Sequence, residues 1–457
     1  MTSTAIHPSS YRDPSGFIFE KEGTLYRQVN RSFSEHFDHF IQSGCYKHLV
    51  ERGLLVPHEQ IGNNVSGHTE FYTTLKPERI DYISYPYEWS FDMLKDAALL
   101  TLQLIREALH YGMILKDATP YNVQWHRNRL IFIDTLSFEK YQEIPWIAYR
   151  QFCESFLGPL LLSHYSRKPL HTLFLAWPDG IPLDIIQSLL PKRTKFSLHI
   201  YLHIHLHQKV SNRKPTATSA TPPAFSRPKL LRLITSLETV ITSLRLPAEA
   251  STWSGYYEEA SQRNDYLQQK TGIIASWLDE LPVIRSAADL GANRGEFSHL
   301  LANRGIQTVA ADFDPYCINT LYHVIKSNGR QFIQPMIIDL ANPSPAIGVN
   351  NEERSSFVSR TNRDMVFALA LIHHLAIGKN IPLEKIAAFF ARMGNYLVIE
   401  YVPKDDEKIR QMLTQKKDIY TWYTEEKFEN AFDRHFSVEK KIAIPGSSRT
   451  LYLMKRH

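Results

Sequence analysis

A glycine-containing turn between an apolar run and a helical pattern carries a chemical signal. Gly291 and Gly295 in "DLGANRGEFS" allow the backbone to turn sharply and to approach a ligand, and the following helix offers N–H groups. Asp312 ends the next apolar run, about twenty residues on, where an acid can hydrogen-bond both hydroxyls of a ribose. Because GxNxG replaces the dinucleotide pattern GxGxxG, the turn predicts a nucleoside ligand without a pyrophosphate. The alternative is a turn that only reverses the chain.

Three side chains near strand ends are candidates for moving a proton. His373 and His374 lie in "ALIHHLAI", and an imidazole titrates near neutral pH and accepts a proton from a hydroxyl or an amine. Glu400, which follows the apolar residues of "LVIEYV", is the third candidate. The alternative for either histidine is that it packs in the junction between a strand and a helix.

Another set of carboxylates lies in the first half of the chain. Asp117 and Asn122 have DxxxxN spacing in "LKDATPYN", and Asp134 follows the apolar run "LIFI". In phosphotransferases this pattern supplies a catalytic Asp, an Asn on a metal and a second metal-binding Asp. The alternative is that Asp117 and Asn122 only brace a turn before Pro120.

The phosphotransferase pattern is incomplete. No glycine-rich phosphate loop lies near Gly16, and Arg27 stands where a phosphate-pairing lysine is expected. Glu35 is the candidate acidic partner of Arg27.

The elements that must position these residues differ between the two halves. After the linker, strands alternate with helix-length segments, which predicts an α/β fold with a doubly wound, Rossmann-like sheet and a terminal antiparallel hairpin. The first part of the chain has strand patterns followed by helical patterns, which predicts an α+β domain of two lobes. Residues 211–229 are rich in Pro, Ser and Thr and form the expected linker between domains 1–210 and 230–457.

The motifs "DLGANRGEFS", "VAADFDP", "MIIDL" and "DMVFALALIHHL" resemble those of class I S-adenosylmethionine-dependent methyltransferases, over residues 254–457. The resemblance implies an enzyme that transfers a methyl group from S-adenosylmethionine. Asp312 would bind the ribose of this cofactor, and Asp339 with Leu340 would flank the adenine. The residues that would border its methionine part are Asp289, Gly291, Asn293 and Gly295. Transfer to an acceptor that is already nucleophilic needs positioning alone.

The first 200 residues resemble aminoglycoside-phosphotransferase-like and protein-kinase-like folds. This resemblance implies a kinase-like module that keeps a pocket for Mg-ATP at Asp117, Asn122 and Asp134, or only the shape of one. The whole arrangement is similar to nodulation-protein-like methyltransferases, which implies a small-molecule or glycan acceptor. Three alternatives stay open: an RNA methyltransferase, a phosphotransferase that uses the first domain, and a protein that binds the cofactor without consuming it.

The composition of the chain limits the kinds of partner and compartment that are expected. The 457 residues carry 52 Lys and Arg against 47 Asp and Glu, and the net charge of +5 does not favour a nucleic-acid partner. Three separated cysteines and apolar runs too short for a membrane span predict a cytoplasmic protein. The histidines of "LHIYLHIHLHQK" have no Cys or carboxylate beside them, so no metal site is predicted.

Overall fold

The computed structural model describes residues 4–211, 224–247, 264–329, 332–414 and 416–457. The chain divides into two compact units. Unit 1 comprises Met1–Pro247 and Ile347–Arg354, and unit 2 comprises Ala248–Ala346 and Ser355–His457.

Unit 1 begins with an antiparallel sheet of order β1-β2-β4-β3. Glu22 and Gly23 connect its first two strands with positive φ values of 52° and 72°, as a two-residue hairpin turn requires. Two small antiparallel pairs, β5 with β8 and β6 with β7, follow later in the chain. The strands are β1 (Gly16–Lys21), β2 (Thr24–Asn30), β3 (His58–Ile61), β4 (Phe71–Pro77), β5 (Met113–Leu115), β6 (Val123–His126), β7 (Arg129–Phe132) and β8 (Phe138–Lys140).

Helix α3 packs against α2, α5 and α10. Its nineteen residues follow the N-cap Ser90 and bury apolar side chains along most of their length. Two π-helical stretches, Cys153–Leu157 and Tyr201–Leu206, interrupt the later helices. The α-helices are α1 (Ser34–Gln42), α2 (Cys45–Glu51), α3 (Phe91–Leu109), α4 (Tyr149–Phe152), α5 (Gly158–Ser166), α6 (Leu173–Ala176), α7 (Leu183–Leu189), α8 (Leu198–Ile200), α9 (His207–Ser211) and α10 (Arg227–Ser243).

The boundary between the units differs from the expected linker. Helix α10 belongs to unit 1, where Arg106 forms an ion pair of 2.6 Å with Glu238 and Lys95 donates to the carbonyl of Leu244. Its amphipathic pattern therefore covers α3 instead of opening the second domain. Of the expected linker, residues 212–223 lie outside the described part of the chain.

A short segment from the second half of the sequence also belongs to unit 1. Within Ile347–Arg354, the carboxylate of Glu353 accepts hydrogen bonds from Tyr11 Oη at 2.9 Å and Arg12 Nη2 at 3.0 Å. The guanidinium of Arg354 lies 3.9 Å from the centre of the Tyr121 ring. This segment is thus held by ionic and cation–π contacts of unit 1.

Unit 2 contains a seven-stranded sheet of order β11-β10-β9-β12-β13-β15-β14. The first five strands in this order are parallel, and β15 pairs antiparallel with both β13 and β14. The strands are β9 (Ser286–Leu290), β10 (Gln307–Asp312), β11 (Ile333–Ile337), β12 (Arg363–Ala368), β13 (Gly394–Tyr401), β14 (Phe436–Ala443) and β15 (Thr450–Arg456).

Helices of unit 2 precede the sheet and lie between its successive strands. One core cluster joins Ile274 and Trp277 of α11 with Phe297, Phe367 and strand residues of the sheet. The helices are α11 (Asn264–Glu280), α12 (Glu296–Ala302), α13 (Pro315–Asn328), α14 (Phe357–Arg360), α15 (Leu383–Ala391), α16 (Glu407–Thr414) and α17 (Glu425–Phe432). The alternation of strands and helices confirms the predicted α/β, Rossmann-like architecture of this unit.

Candidate active site

A cavity of about 370 Å³ opens in unit 2 where the parallel strands end. Ligands of open α/β sheets bind at this edge, outside the carboxyl ends of the strands. The predicted residues that line the cavity are Asp289, Gly291, Asn293, Asp312, Asp339, Leu340 and His374. Gly295, His373 and Glu400 do not line it.

The glycine turn has a backbone that favours glycine at both predicted positions. The φ angles are +80° at Gly291 and +92° at Gly295. A Cβ at Gly295 would lie 2.7 Å from Leu321 Cδ1, whereas a Cβ at Gly291 would make an ordinary contact with Leu371 at 3.5 Å. Asn293, with φ of +50°, takes the left-handed conformation that asparagine tolerates better than most residues.

Asp312 is fixed by the turn that it faces. Its Oδ2 accepts the backbone N–H of Asn293 and its Oδ1 that of Asp314, both at 2.8 Å. Each of the two oxygens can accept a further hydrogen bond, and Asp312 lines the cavity. Burial raises the pKa of Asp312 to about 6, in spite of these hydrogen bonds. Asp314 caps α13 by accepting from the backbone N–H of Tyr316.

Asp289 lies at the end of β9 and is 2% exposed. Ser298 Oγ donates to its Oδ2 at 2.6 Å. Burial raises the pKa of Asp289 to about 7, and the hydrogen bond from Ser298 opposes this rise only in part. Within the described ranges, no Lys, Arg or His forms an ion pair with Asp289 or Asp312. Their carboxylates therefore remain available to a ligand with hydroxyl groups or positive charge.

Asp339 and Leu340 lie at the rim of the same cavity, after β11. The Asp339 carboxylate accepts the backbone N–H of Ala341 at 2.9 Å and lies 3.7 Å from Lys379 Nζ. Phe313, which is 54% exposed, follows Asp312 and lines the cavity as well. The rim thus combines apolar surface with one carboxylate, as a planar base with polar edges requires.

The two histidines have different surroundings. His374 lines the cavity, while His373 is 2% exposed and packs beside it, with the ring centroids 4.0 Å apart. Burial lowers the pKa of His374 to about 4 and that of His373 well below its ordinary value. Both imidazoles are therefore neutral at neutral pH, and of the two only His374 lines the cavity.

Glu400 lies in a buried ionic network. Its Oε1 accepts from Tyr266 Oη and from Arg449 Nη1, the latter at 3.2 Å, and its Oε2 accepts from Lys270 Nζ. Burial alone would raise the pKa of Glu400, but the charges of Lys270 and Arg449 and the hydrogen bonds outweigh it and lower the pKa to about 2. A carboxylate with so low a pKa is a weak proton acceptor.

Glu400 also holds the cavity wall. Its Oε2 accepts the backbone N–H of Ala370 at 2.9 Å. Ala370 lines the cavity with a φ of +50°, a left-handed conformation that costs free energy for alanine. The ionic network therefore stabilises a strained turn from which the π-helical stretch His374–Gly378 continues.

Sequence reasoning missed Lys270, Tyr266 and Arg449 of this network. Tyr266 and Lys270 are four residues apart on one face of α11, and both line the cavity. The sequence "DYLQQK" shows this spacing. A lysine on a helix is ordinarily solvated, however, and the sequence does not predict that Lys270 is buried. Residues 253–263, which precede α11 in the sequence, lie outside the described residues.

The carboxylates of unit 1 are also brought together. Asn122 Nδ2 donates to Asp117 Oδ2 at 3.1 Å and to Ser137 Oγ at 3.3 Å, and Ser137 Oγ donates to Asp134 Oδ2 at 2.5 Å. Burial, with a contribution from the charge of Asp134, raises the pKa of Asp117. The DxxxxN spacing therefore corresponds to a single hydrogen-bonded cluster.

The partners of this cluster do not favour a magnesium ion. Arg27 forms an ion pair with Asp134 Oδ1, and Ser137 occupies Oδ2. The suggested pair of Arg27 with Glu35 is wrong, because Glu35 binds Lys140 instead. Over the residues described, no cluster of three or more His, Cys, Asp or Glu has an arrangement that could hold a metal ion. Asp134 is therefore not available as the second metal-binding carboxylate that Mg-ATP would need, although Asp117 Oδ1 is buried without a hydrogen-bond partner.

The sheet order and the cavity define unit 2 as an α/β Rossmann-like domain with its site at the carboxyl ends of the strands. Among curated proteins, nodulation protein NoeA of Rhizobium meliloti (strain 1021) is 34% identical over 464 residues, covering 98% of this chain and 95% of that protein. The chain belongs to the NoeA family. A scan against protein-family models found no match.

Two solved structures are similar to part of the chain. Magnesium protoporphyrin IX methyltransferase ChlM from Synechocystis PCC 6803 with bound SAH has 16% identity and a TM-score of 0.31, over 46% of this chain and 90% of that one. The bifunctional kinase-methyltransferase WbdD has 16% identity and a TM-score of 0.30, over 43% of this chain and 40% of that one. The kinase-like character of unit 1 stays a prediction.

Proposed function

We propose that unit 2 binds S-adenosylmethionine and transfers its methyl group to a small-molecule or glycan acceptor. One observation carries the proposal: a glycine turn and the carboxylates at the ends of three adjacent parallel strands line one cavity. The Asp312 oxygens have lone pairs for the two ribose hydroxyls. Asp339, Leu340 and Phe313 form a rim for adenine. Family membership supports a role in nodulation, the process for which the relative NoeA is named.

The reaction needs little covalent chemistry from the protein. When bound, S-adenosylmethionine supplies an electrophilic methyl group on a positively charged sulfur. The ionised form of Asp289 would stabilise that charge in a buried site, where electrostatic interactions are strong. The acceptor would meet the apolar wall of Leu371 and Leu375, where His374 is the candidate proton acceptor that lines the cavity, although its pKa of about 4 makes it a weak base. Holding the two reactants in contact supplies most of the acceleration.

Calorimetry tests the cofactor site. S-adenosylmethionine is titrated into the intact chain and into Asp312→Ala, and we expect the variant to lose roughly 100-fold in affinity because two charge-assisted hydrogen bonds disappear. Asp134→Asn, the matched carboxylate of unit 1, is the control and should keep the affinity. Failure of the intact chain to bind the cofactor would overturn the proposal.

Mg-ATP is the parallel titrant in the same experiment. Because Arg27 already occupies Asp134, we expect no Mg-ATP heat that depends on Asp117 or Asp134. If the intact chain releases or absorbs heat with Mg-ATP, Asp117→Ala does not, and unit 2 binds no cofactor, unit 1 would be the catalytic unit instead. Tight RNA binding with a steep salt dependence would favour the alternative of an RNA methyltransferase.

Substitution of the candidate bases separates proton transfer from positioning. With an acceptor found in a panel of oligosaccharides and small molecules, His374→Gln should lower kcat by about 100-fold and leave cofactor affinity unchanged if His374 takes the proton. His373→Gln should leave the acid limb of the pH profile in place. Unchanged kcat in His374→Gln would mean that positioning alone suffices.

A further inference from the structure

An apolar stripe is exposed on the last part of unit 1. Leu198, Leu202 and Leu206 are 67%, 40% and 37% exposed and are spaced four apart from α8 through the π-helical stretch that follows. Residues at this spacing share one helix face. The opposite face, with Ile200 and Ile204, is buried. The helix therefore turns leucines toward solvent although a buried apolar face already anchors it.

A short basic turn lies immediately before this stripe. Lys192–Phe196 forms a 3-10 turn in which Phe196 is 92% exposed, and Lys192, Arg193 and Lys195 are exposed as well. Thr194 is buried, and its Oγ1 lies 3.0 Å from Nε2 of His205, within hydrogen-bond distance. The bond ties the turn to the helix. The cations and the exposed apolar side chains thus belong to one connected surface.

We name this surface the basic-apolar face. Its members are Leu189, Lys192, Arg193, Lys195, Phe196, Leu198, Leu202 and Leu206. From Ile185 to Leu237 the sequence contains no Asp or Glu, although the whole chain has 47 of them against 52 Lys and Arg. The face therefore has a positive charge that no acidic neighbour in the sequence offsets.

The combination indicates the chemistry of the partner. Single exposed apolar residues are ordinary, but a connected group of a phenylalanine and several leucines marks an interaction surface. Exposed leucines beside lysines suit a bilayer interface, where the apolar side chains enter the acyl boundary and the cations meet anionic headgroups. A site for single-stranded nucleic acid typically offers several stacking aromatic rings, and Phe196 is the one aromatic member of the face.

We propose that the basic-apolar face docks unit 1 on an anionic lipid bilayer, lying on its surface. None of the helices in the described ranges has the length and apolar character to cross a membrane. Phe196 and the leucines enter the headgroup region, and Lys192, Arg193 and Lys195 bind lipid phosphates. This inference is independent of the proposed methyl transfer.

Co-sedimentation of the intact chain with vesicles tests the proposal. One set of vesicles is phosphatidylcholine alone, and the other mixes phosphatidylcholine and phosphatidylglycerol in equal amounts. We expect binding only to the mixed vesicles. Lys192→Gln/Arg193→Gln/Lys195→Gln should weaken it by roughly ten-fold to 100-fold, because each cation near an anionic surface contributes on its own. Phe196→Ser/Leu198→Ser should also weaken it by about ten-fold or more.

Val283→Ser is the matched control, since Val283 is an apolar residue of unit 2 with 82% exposure. It should leave vesicle binding unchanged, and all variants should keep the wild-type melting temperature. Equal binding to both kinds of vesicle, or wild-type binding by both variants of the face, would overturn the proposal. Loss of self-association in the Phe196→Ser/Leu198→Ser variant, without any vesicle binding, would assign the face to a second copy of the chain instead.

Discussion

Two sets of carboxylates have opposite surroundings, Asp289 and Asp312 of unit 2 and Asp134 and Asp13 of unit 1. In unit 2, Asp289 and Asp312 border a cavity, bind backbone and hydroxyl donors, and have raised pKa values. In unit 1, Asp134 is bound to Arg27, and Asp13 lies 3.1 Å from Lys116. A buried carboxylate without a cation is costly to ionise, whereas one beside a cation is stabilised by the fold itself.

The partners that a carboxylate already has indicate whether a ligand is expected to bind it. A carboxylate whose charge is already compensated has little to gain from a ligand. One that is buried, hydrogen-bonded and uncompensated gains from a ligand that brings hydroxyl donors or positive charge. DxxxxN and the glycine turn are both recognisable in the sequence, but Asp134 beside the first is paired with Arg27, whereas Asp289 and Asp312 beside the second line a cavity and have no ion pair among the described residues.

Glu400 offers the largest test of the comparison, because it is a cation-bound carboxylate within unit 2. Its side chain is fully buried, and Lys270 and Arg449 have 5% and 7% of their side chains exposed. Glu400→Gln removes the buried carboxylate partner of Lys270, while Arg449 keeps its ion pair of 2.8 Å with Asp406, so we expect the free energy of unfolding to fall by about 3 kcal/mol. Urea denaturation measures the loss. A loss below about 1 kcal/mol would show that the network contributes little.

The pH dependence of stability should show the cost of the uncompensated acids. The folded-state pKa of Asp289 is raised to about 7 from 3.8, so its stabilisation is complete below the lower value and is lost as pH rises through the higher one. The loss amounts to roughly 4 kcal/mol at most. Asp289→Asn should therefore become more stable relative to wild type as pH rises, in parallel denaturation series.

Cofactor affinity should change with pH in the opposite direction. Positive charge on S-adenosylmethionine favours ionised Asp289 and Asp312, so affinity should rise as pH passes through their pKa values of about 7 and about 6. S-adenosylhomocysteine lacks the sulfonium charge and serves as the control, with a smaller rise expected. Equal pH dependence for both compounds would contradict a role of these acids in compensating the sulfonium.

Asp134→Asn tests the same idea in unit 1 with a smaller expected effect. The side chains of Arg27 and Asp134 are 11% and 14% exposed. Water therefore solvates part of the Arg27 charge that loses its carboxylate partner in the variant. We expect a loss of about 2–3 kcal/mol in unfolding free energy. Thermal denaturation measures it. A stability equal to wild type, together with lost cofactor binding, would reverse the assignment of the two clusters.

The glycine turn gives an effect of similar size, and Gly305 provides a matched control. Gly295→Ala places a Cβ 2.7 Å from Leu321 Cδ1 at a φ of +92°, and we expect a loss of about 2–3 kcal/mol. Gly305→Ala meets nothing within 4 Å at a φ of +77°, so only the backbone cost of about 1 kcal/mol applies. Urea denaturation measures the free energy of unfolding of both variants. Equal losses would show that the contact with Leu321 contributes nothing to the effect of Gly295→Ala.

The sequence was sufficient for the strand–helix alternation of unit 2 and for the gathering of Asp289, Asp312 and Asp339. These acids end consecutive strands, and parallel strands bring their carboxyl ends to one edge. Local features such as the Asp314 cap were predictable for the same reason, since they depend on neighbours along the chain.

Long-range pairing was not predictable. Arg449 and Glu400 are 49 residues apart, and Glu35 and Lys140 are 105 apart, so no local pattern records either partner. The position of α10 was missed because an amphipathic helix shows which face is apolar but not which surface covers it. The charge of the stretch from Ile185 to Leu237 was visible, but its exposed leucines were not.

The segment Ile347–Arg354 has a consequence for how the chain can be taken apart. Its residues belong to unit 1, yet they are encoded between stretches that belong to unit 2. A single cut after Pro247 would deprive Tyr11 and Arg12 of Glu353, and Tyr121 of Arg354. The two halves are therefore not freely interchangeable modules, and recombination at one crossover point would yield an incomplete first half.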